Sequence, residues 1–259
     1  MTDVDVPIES GPFTLRGSLT IAAAAPTPAA LLISGSGPLD RNSNSKQLAI
    51  DVMGQIAARL AAEGVASLRY DKRGVAESDG DFLAAGFHDN IDDARAALAV
   101  LRARPDVDPD RIVVIGHSEG ALIASVLADD ERLAGVALLA GTVHDGNDLL
   151  RWQAGQIAST LPKPVRWMMK LLRQDLVRTQ SKRLQRIADS TEDVVRIQFV
   201  KLNAKWFREF MVFDPTEALR RVAVPVLAIT GSKDIQVDPA DVERMREVVS
   251  TSFTGCVAE

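Results

Sequence analysis

The chain has 259 residues, a length that predicts one or two domains. Hydrophobic residues make up 46% and charged residues 25%, which are ordinary globular values and argue against disordered or fibrous classes. The formal net charge is −5, whereas nucleic-acid-binding domains are usually basic, and the single cysteine, Cys256, excludes an internal disulfide framework.

Export and membrane insertion are both disfavoured by the sequence. No apolar run reaches the ~18 residues that a membrane-spanning helix needs. Asp3 and Asp5 make the N-terminus acidic where a signal peptide is basic. One cysteine suits a reducing compartment. We therefore expect a cytoplasmic protein with no integral membrane segment and no nucleic-acid partner.

Secondary-structure patterns in the first half of the chain alternate between strand and helix. Residues 13–21 predict a strand of an opening hairpin, and the Ala- and Pro-rich residues 22–30 predict a turn between strands. Further strands are predicted at 29–33, 65–70, 111–115 and 133–139, and helices at 47–63, 90–104 and 121–127. This alternation predicts an α/β fold with a mostly parallel central sheet and helices on both faces.

The alternation stops after Gly141, which predicts a helical insertion in the α/β fold. Residues 149–213 have almost continuous helical periodicity, with breaks at Pro162 and Pro164. Within 151–214 there are 13 lysines and arginines against 6 aspartates and glutamates. This basic surplus fits either solvated helix faces or a lid whose inner face attracts an anionic substrate or surface.

The alternation returns after the insertion. Residues 226–230 predict a strand, and residues 252–258 a last one. Between them, Asp238 and Pro239 are typical of an N-cap followed by proline at the first helical position. The helix that they begin is expected to end near Val249.

The most specific chemical signal is Gly-His-Ser-Glu-Gly at residues 116–120, between a predicted strand and a predicted helix. In this G-x-S-x-G pattern a sharp strand-to-helix turn exposes the hydroxyl of Ser118. The two glycines leave room for the strained backbone. The backbone N–H of Glu119 and the helix N-terminus would then stabilise a developing oxyanion. Such a turn directs the side chain of His117 away from the serine hydroxyl, so we predict a packing role for it.

Four segments make the chain resemble the α/β-hydrolase superfamily, in particular small bacterial esterases, thioesterases and serine-aminopeptidase-like hydrolases. Residues 34–42 resemble the oxyanion loop, with Ser34 where histidine is common. Residues 70–78 resemble the Asp-x-Arg-Gly-x-Gly-x-Ser loop, with Ala76 in place of the second glycine. The Gly-His-Ser-Glu-Gly motif is the third segment. The fourth, residues 231–237, resembles the segment that carries the acid of the triad.

This resemblance implies a role for each matching residue. Ser118 would be the nucleophile, and Asp234 would orient a histidine, although it is also compatible with an ordinary loop acid. The backbone N–H groups of Ser36 and Glu119 would form the oxyanion hole. Residues 143–214 would form a cap over the pocket, and residues 1–142 and 215–259 the α/β-hydrolase core.

Two charged features near these loops have structural interpretations. Asp71 and Arg73 are expected to tie loops together through a charge-assisted hydrogen bond. Arg41 is expected either to make a similar structural contact or to contact a substrate carboxylate.

The triad histidine is the missing part of the pattern. The triad order is Ser, Asp and then His, but the histidines are His88, His117 and His144, all before Asp234. Three explanations are open: a truncated chain, a substitute base, or a non-catalytic member of the superfamily. His144 is the better substitute, because it follows the strand that ends near Gly141. The intact serine and acid loops favour truncation.

The function predicted from the sequence is hydrolysis of carboxylic esters or thioesters through an acyl-enzyme on Ser118. The alternatives are a non-catalytic binding protein on the same scaffold and an acyltransferase. Without its triad histidine the 259-residue chain is expected to be a poor hydrolase, since that loss can cost around 10⁶ in kcat.

No cofactor or metal is expected, because three scattered histidines and one cysteine do not form a ligand cluster. The chain also lacks a phosphate-binding loop and a dinucleotide fingerprint. The expected partner is a small acyl ester or thioester. The basic surplus of the predicted cap would suit an anionic acyl donor such as a CoA thioester.

Overall fold

The computed structural model describes residues 2–21, 26–162, 164, 167 and 176–259. The strands in this part are β1 Thr2–Ser10, β2 Phe13–Ile21, β3 Thr27–Ile33, β4 Ala66–Tyr70, β5 Val107–His117, β6 Gly135–Leu139, β7 Val194–Ile197, β8 Val200–Asn203, β9 Val226–Gly231 and β10 Phe253–Ala258. The helices are α1 Val52–Ala62, α2 Phe87–Arg102, α3 Glu119–Asp130, α4 Gly146–Thr160, α5 Leu176–Ala188, α6 Ala204–Val212, α7 Pro215–Arg221 and α8 Asp241–Val248.

Eight of these strands form one twisted central sheet, in the order β1-β2-β4-β3-β5-β6-β9-β10. β1 and β2 form the opening antiparallel hairpin, and β2 also pairs antiparallel with β4. The other pairs in this sheet are parallel. The predicted α/β class with a mostly parallel sheet is therefore confirmed.

Helices cover both faces of the sheet. The central strand β3 shows why, because its apolar side chains are buried on both faces. Leu31 and Ile33 belong to the main core, together with side chains of α2, α3 and α8. Leu32 faces the opposite side and packs with Met53 and Ala57 of α1. A run of residues buried on both sides is typical of a parallel sheet that lies between two helical layers.

Two helices begin later than predicted, and a local backbone feature explains each difference. The helix expected at 47–63 begins at Val52, because Asp51 has a left-handed backbone with φ 53°. The last helix begins at Asp241 rather than directly after Asp238. The Asp238 carboxylate accepts from the backbone N–H of Ala240 and pairs with Arg244, which closes a separate turn before the helix. Residues 22–25 of the predicted Ala- and Pro-rich turn lie outside the described residues.

The prediction of almost unbroken helix over 149–213 is wrong, because β7 and β8 form an antiparallel hairpin inside this range. β7 consists mostly of β-branched valine and isoleucine, which favour the extended backbone, and β8 begins with Val200. The two turn residues, Gln198 and Phe199, have φ of 48° and 69°. A two-residue turn with both φ values positive matches the right-handed twist of a hairpin, but it normally contains Asn and Gly. The turn was therefore not recognisable from its residue types.

The start of α6 is attached to the loop that precedes α2. The side-chain amide of Asn203 donates to the backbone carbonyls of Phe82 and Ala85, at 2.8 and 2.6 Å. Lys205 forms an ion pair with Asp89 at 2.7 Å. These contacts fix one part of the segment 143–214 on the sheet domain. By contrast, α5 packs against α4 and α6.

Candidate active site

Ser118 occupies the turn between β5 and α3 in a strained backbone conformation, with φ 54° and ψ −116°. A side chain at Gly116 would overlap the backbone carbonyl of Gly120. One at Gly120 would overlap the carbonyl of Ile33 on β3. Both glycines of the motif are therefore required sterically. Strain of this kind costs about 1–3 kcal/mol and persists only where the surrounding structure enforces it.

Ser118, Ser36 and Glu119 line one narrow cleft of about 30 Å³. Its opposite wall comes from α4 and α6, with contributions from Leu149, Leu150, Gln153, Trp206 and Phe210. Within the described part of the chain, the backbone N–H groups of Ser36 and Glu119 donate to no other residue. Two free donors thus lie beside the half-buried Ser118 at the N-terminus of α3, an arrangement that suits a developing negative charge.

A larger chamber of about 470 Å³ adjoins this cleft. The two cavities share Ser36, Glu119, Leu150 and Trp206 in their walls. Most of the remaining wall is apolar and is formed by Pro38, Phe82, Leu83, Leu202 and Phe207. The volume is in the range of small-molecule binding sites.

The side chain of Glu119 is buried, with 1% of its surface exposed, and has three hydrogen-bond donors around it. Lys72 pairs with Oε2 at 2.8 Å. The Asn90 amide and the Trp206 indole both donate to Oε1, also at 2.8 Å. Because Trp206 lies on α6, this network joins the segment 143–214 to the residue that follows Ser118.

Sequence reasoning did not find Lys72, Asn90 or Trp206 as parts of the site. The available signal was a glutamate at the first position of a helix that otherwise reads as apolar, since a buried carboxylate requires partners. Its partners lie 47, 29 and 87 positions away along the chain. No local pattern identifies such distant residues.

Asp234 follows β9, at the carboxyl end of the sheet where Ser118 also lies. Its Oδ1 accepts from the backbone N–H groups of Gln236 and Val237, at 2.7 and 3.0 Å. Val237 lines the Ser118 cleft, so the Asp234 loop reaches its edge. Among the residues that the structure describes, no histidine donates a hydrogen bond to the Asp234 carboxylate.

The three histidines occupy different surroundings. Burial lowers the pKa of His117, and the negative charge of Asp234 opposes this shift only in part. The Nε2 of His144 lies 3.4 Å from Asp241 Oδ1 and 3.3 Å from an Arg244 nitrogen, so its ring contacts α8. His88 is exposed near the start of α2. The structure brings none of the three into hydrogen-bond contact with the Ser118 hydroxyl.

The prediction that Asp71 and Arg73 pair with each other is wrong, because each has a different partner. Asp71 accepts from both the backbone N–H and the guanidinium of Arg41, at 2.7 and 2.6 Å. Arg73 instead pairs with Asp89 and Asp93. Because Arg41 supplies two donors in a fixed geometry, it occupies the Asp71 carboxylate. Of the two interpretations of Arg41, the structural contact between loops is the one observed.

Other site types find no support in the described ranges. They contain no group of three or more His, Cys, Asp or Glu side chains placed to hold a metal ion. None of the helices in these ranges has the length and apolar character to cross a membrane.

The strand order, the two-sided helical cover and the serine turn together define the α/β-hydrolase fold. Solved structures agree with this class. The α/β hydrolase GrgF from Penicillium sp. sh18 superposes with a TM-score of 0.69 at 16% identity, covering 99% of this chain and 89% of that one. Est1E from Butyrivibrio proteoclasticus, with ferulic acid bound, gives 0.67 at 17% identity, covering 97% and 88%.

Sequence comparison then identifies the family. Residues 49–255 match the family described as serine aminopeptidase, S33, and the chain belongs to that family. Esterase EstD of Thermotoga maritima is 29% identical over 235 residues, which cover 88% of this chain and 52% of the esterase. The chain therefore spans about half the length of this relative. The quorum-quenching protein AidA of Acinetobacter baumannii is 35% identical over 82 residues, which cover 31% of this chain and 27% of AidA.

Proposed function

We propose that the protein is a serine hydrolase that cleaves carboxylic esters or thioesters through an acyl-enzyme on Ser118. The observation that carries the proposal is the strained serine beside the free backbone N–H groups of Ser36 and Glu119. Membership of the S33 family and similarity to an esterase support the same chemistry.

The reaction would begin when Ser118 Oγ attacks the carbonyl carbon of the ester. The carbonyl oxygen becomes an oxyanion, which the N–H groups of Ser36 and Glu119 stabilise by hydrogen bonding. The serine proton passes to a base and then to the leaving alcohol or thiol as its bond to the carbonyl carbon breaks. Water next attacks the acyl-enzyme, releases the acid and regenerates the serine.

Lys72 has a specific purpose in this scheme. The Glu119 carboxylate belongs to the residue that would donate to the oxyanion, and a free negative charge there would oppose the transition state. The Lys72 ammonium, 2.8 Å from that carboxylate, offsets its charge. Removing either partner alone would therefore affect the site more than removing both.

Residues 143–214 would act as the cap over this site. Support comes from α4 and α6, which form the wall of the cleft opposite Ser118. The apolar chamber beside Ser36 would receive one of the two groups that the ester bond joins.

The proposal requires a general base that takes the proton of Ser118. Asp234 would orient a histidine, yet His144, the substitute base considered from the sequence, contacts Asp241 and Arg244. We therefore expect slow turnover by this chain alone, and faster turnover when imidazole is supplied from solution. Non-catalytic binding on the same scaffold is the second candidate, since no described histidine reaches the Ser118 hydroxyl.

Hydrolysis of p-nitrophenyl butyrate, with and without added imidazole, tests the proposal. The unmodified chain should show a rate that rises with imidazole beyond the rate of imidazole in buffer. Ser118→Ala should abolish this excess, whereas Ser159→Ala, an exposed serine on α4, should retain it. Equal rates for the chain and Ser118→Ala at every imidazole concentration would contradict the hydrolase and favour the binding protein. His144→Ala then tests the substitute base.

A further inference from the structure

The 470 Å³ chamber has an uneven distribution of charge. Lys72 lines the chamber but is buried and neutralised by Glu119, so it is not available to a ligand. Lys201 of β8 also lines the chamber, but its side chain is exposed. It forms no ion pair with a carboxylate in the described part of the chain. Among the described residues, Lys201 is thus a cation without a carboxylate partner at the wall of an apolar cavity.

A second cation reinforces the first. Arg196 lies directly opposite Lys201 in the β7–β8 register, so the two residues share one face of the hairpin. Arg196 is exposed and, within the described ranges, also has no carboxylate partner. Like charges directly opposite each other destabilise an antiparallel pair. A bound anion would relieve this repulsion.

One chamber, with mostly apolar walls, contains Lys201 and both oxyanion donors in its lining. Ser36 and Glu119 line both the serine cleft and the chamber, whereas Lys201 lines the chamber but not the cleft. A ligand whose carbonyl lies at the two N–H groups can therefore place an apolar chain against Phe207 and Leu202. Its far end would then meet Lys201.

We propose that the chamber selects amphipathic esters, in which an apolar chain joined to the reacting carbonyl ends in an anionic group. A monoester of a medium-chain dicarboxylic acid is the simplest member of this class. The inference rests on the proposed function for the position of the carbonyl. The preference itself is a property of binding and does not require turnover.

Binding to the Ser118→Ala chain tests the proposal without hydrolysis. The probes are monomethyl adipate and methyl hexanoate, which have the same chain length and differ in the terminal carboxylate. Tryptophan fluorescence reports occupancy, because Trp206 lines the chamber. At low ionic strength the anionic probe should bind about fivefold more tightly, which is the size of effect expected of one exposed ion pair. The preference should decrease in 0.5 M NaCl, where screening is strong.

Two matched variants test whether Lys201 causes the preference for the anionic probe. Lys201→Gln should remove most of it while leaving the affinity for methyl hexanoate unchanged. Lys182→Gln removes the same charge from exposed α5, outside the chamber wall, and should retain the preference. Equal affinity for the two probes, no binding of either, or equal loss in both variants would overturn the proposal. An inactive esterase that still prefers the anionic probe would instead contradict only the hydrolase.

Discussion

The buried ion pair between Lys72 and Glu119 should make a large contribution to the free energy of unfolding. Their side chains are 6% and 1% exposed, and the two charged atoms lie 2.8 Å apart. Lys72→Met keeps most of the side-chain volume but leaves the carboxylate with neutral donors alone, from Asn90 and Trp206. Removing one partner of a buried pair costs about 3–5 kcal/mol. We expect Lys72→Met to lower the free energy of unfolding by this amount, out of a total of about 5–15 kcal/mol.

The double variant Lys72→Met/Glu119→Gln separates the charge from the packing. Glutamine keeps an oxygen that can accept from Asn90 and Trp206 but carries no charge. We expect it to recover at least half of the lost free energy, since an unsatisfied neutral group costs about 1–3 kcal/mol. Urea unfolding of the unmodified chain, Lys72→Met, Glu119→Gln and the double variant gives the coupling energy between the two residues. Arg59→Met, which breaks an exposed pair with Glu63, should cost no more than about 1 kcal/mol.

A double variant no more stable than Lys72→Met would refute this reasoning. The loss would then come from the packing of the lysine chain rather than from the uncompensated carboxylate. A loss in Arg59→Met as large as in Lys72→Met would also contradict it, because burial would then make no difference to the ion pair.

Three further variants test other features. Phe199→Gly should raise the melting temperature, since a non-glycine residue at φ 69° costs about 1–2 kcal/mol; a fall would show that this turn is not strained. Trp206→Phe keeps an aromatic side chain but loses the hydrogen bond to Glu119 and should cost about 1–3 kcal/mol in urea unfolding, whereas exposed Trp167→Phe should cost little. Burial lowers the pKa of His117, so the unfolded chain takes up a proton first as the pH falls through the ordinary value of 6.5. The stability present above that pH is then lost. His117→Gln should therefore weaken the pH dependence of the urea midpoint between pH 7.5 and 5.5. An unchanged pH dependence would exclude His117 as its cause.

The serine turn was predictable because its constraints are local. Gly116, Ser118 and Gly120 lie within five positions, and the steric need for both glycines follows from a turn that brings two backbone segments together. The parallel sheet was predictable for a similar reason, since β3 and its neighbours read as short apolar runs.

The hairpin and the Glu119 network were not predictable, for two different reasons. The turn at Gln198 and Phe199 lacks the residue types that usually reveal such a turn, so the helical periodicity of 149–213 predicts helix there instead. The hydrogen bond between Trp206 and Glu119 spans 87 positions and depends on how α6 packs against α2 and α4. Side-chain contacts of this kind follow from the three-dimensional arrangement and leave no periodic trace in the sequence.

The unequal attachment of the segment 143–214 has a consequence for protein engineering. Asn203, Lys205 and Trp206 fasten the start of α6 to the sheet domain and to the serine turn. Helix α5 packs against α4 and α6 instead. A different helix grafted in place of α5 would therefore leave the contacts between α6 and the serine turn intact. The start of α6 and the helix α5 are thus two parts of the segment that can be redesigned separately.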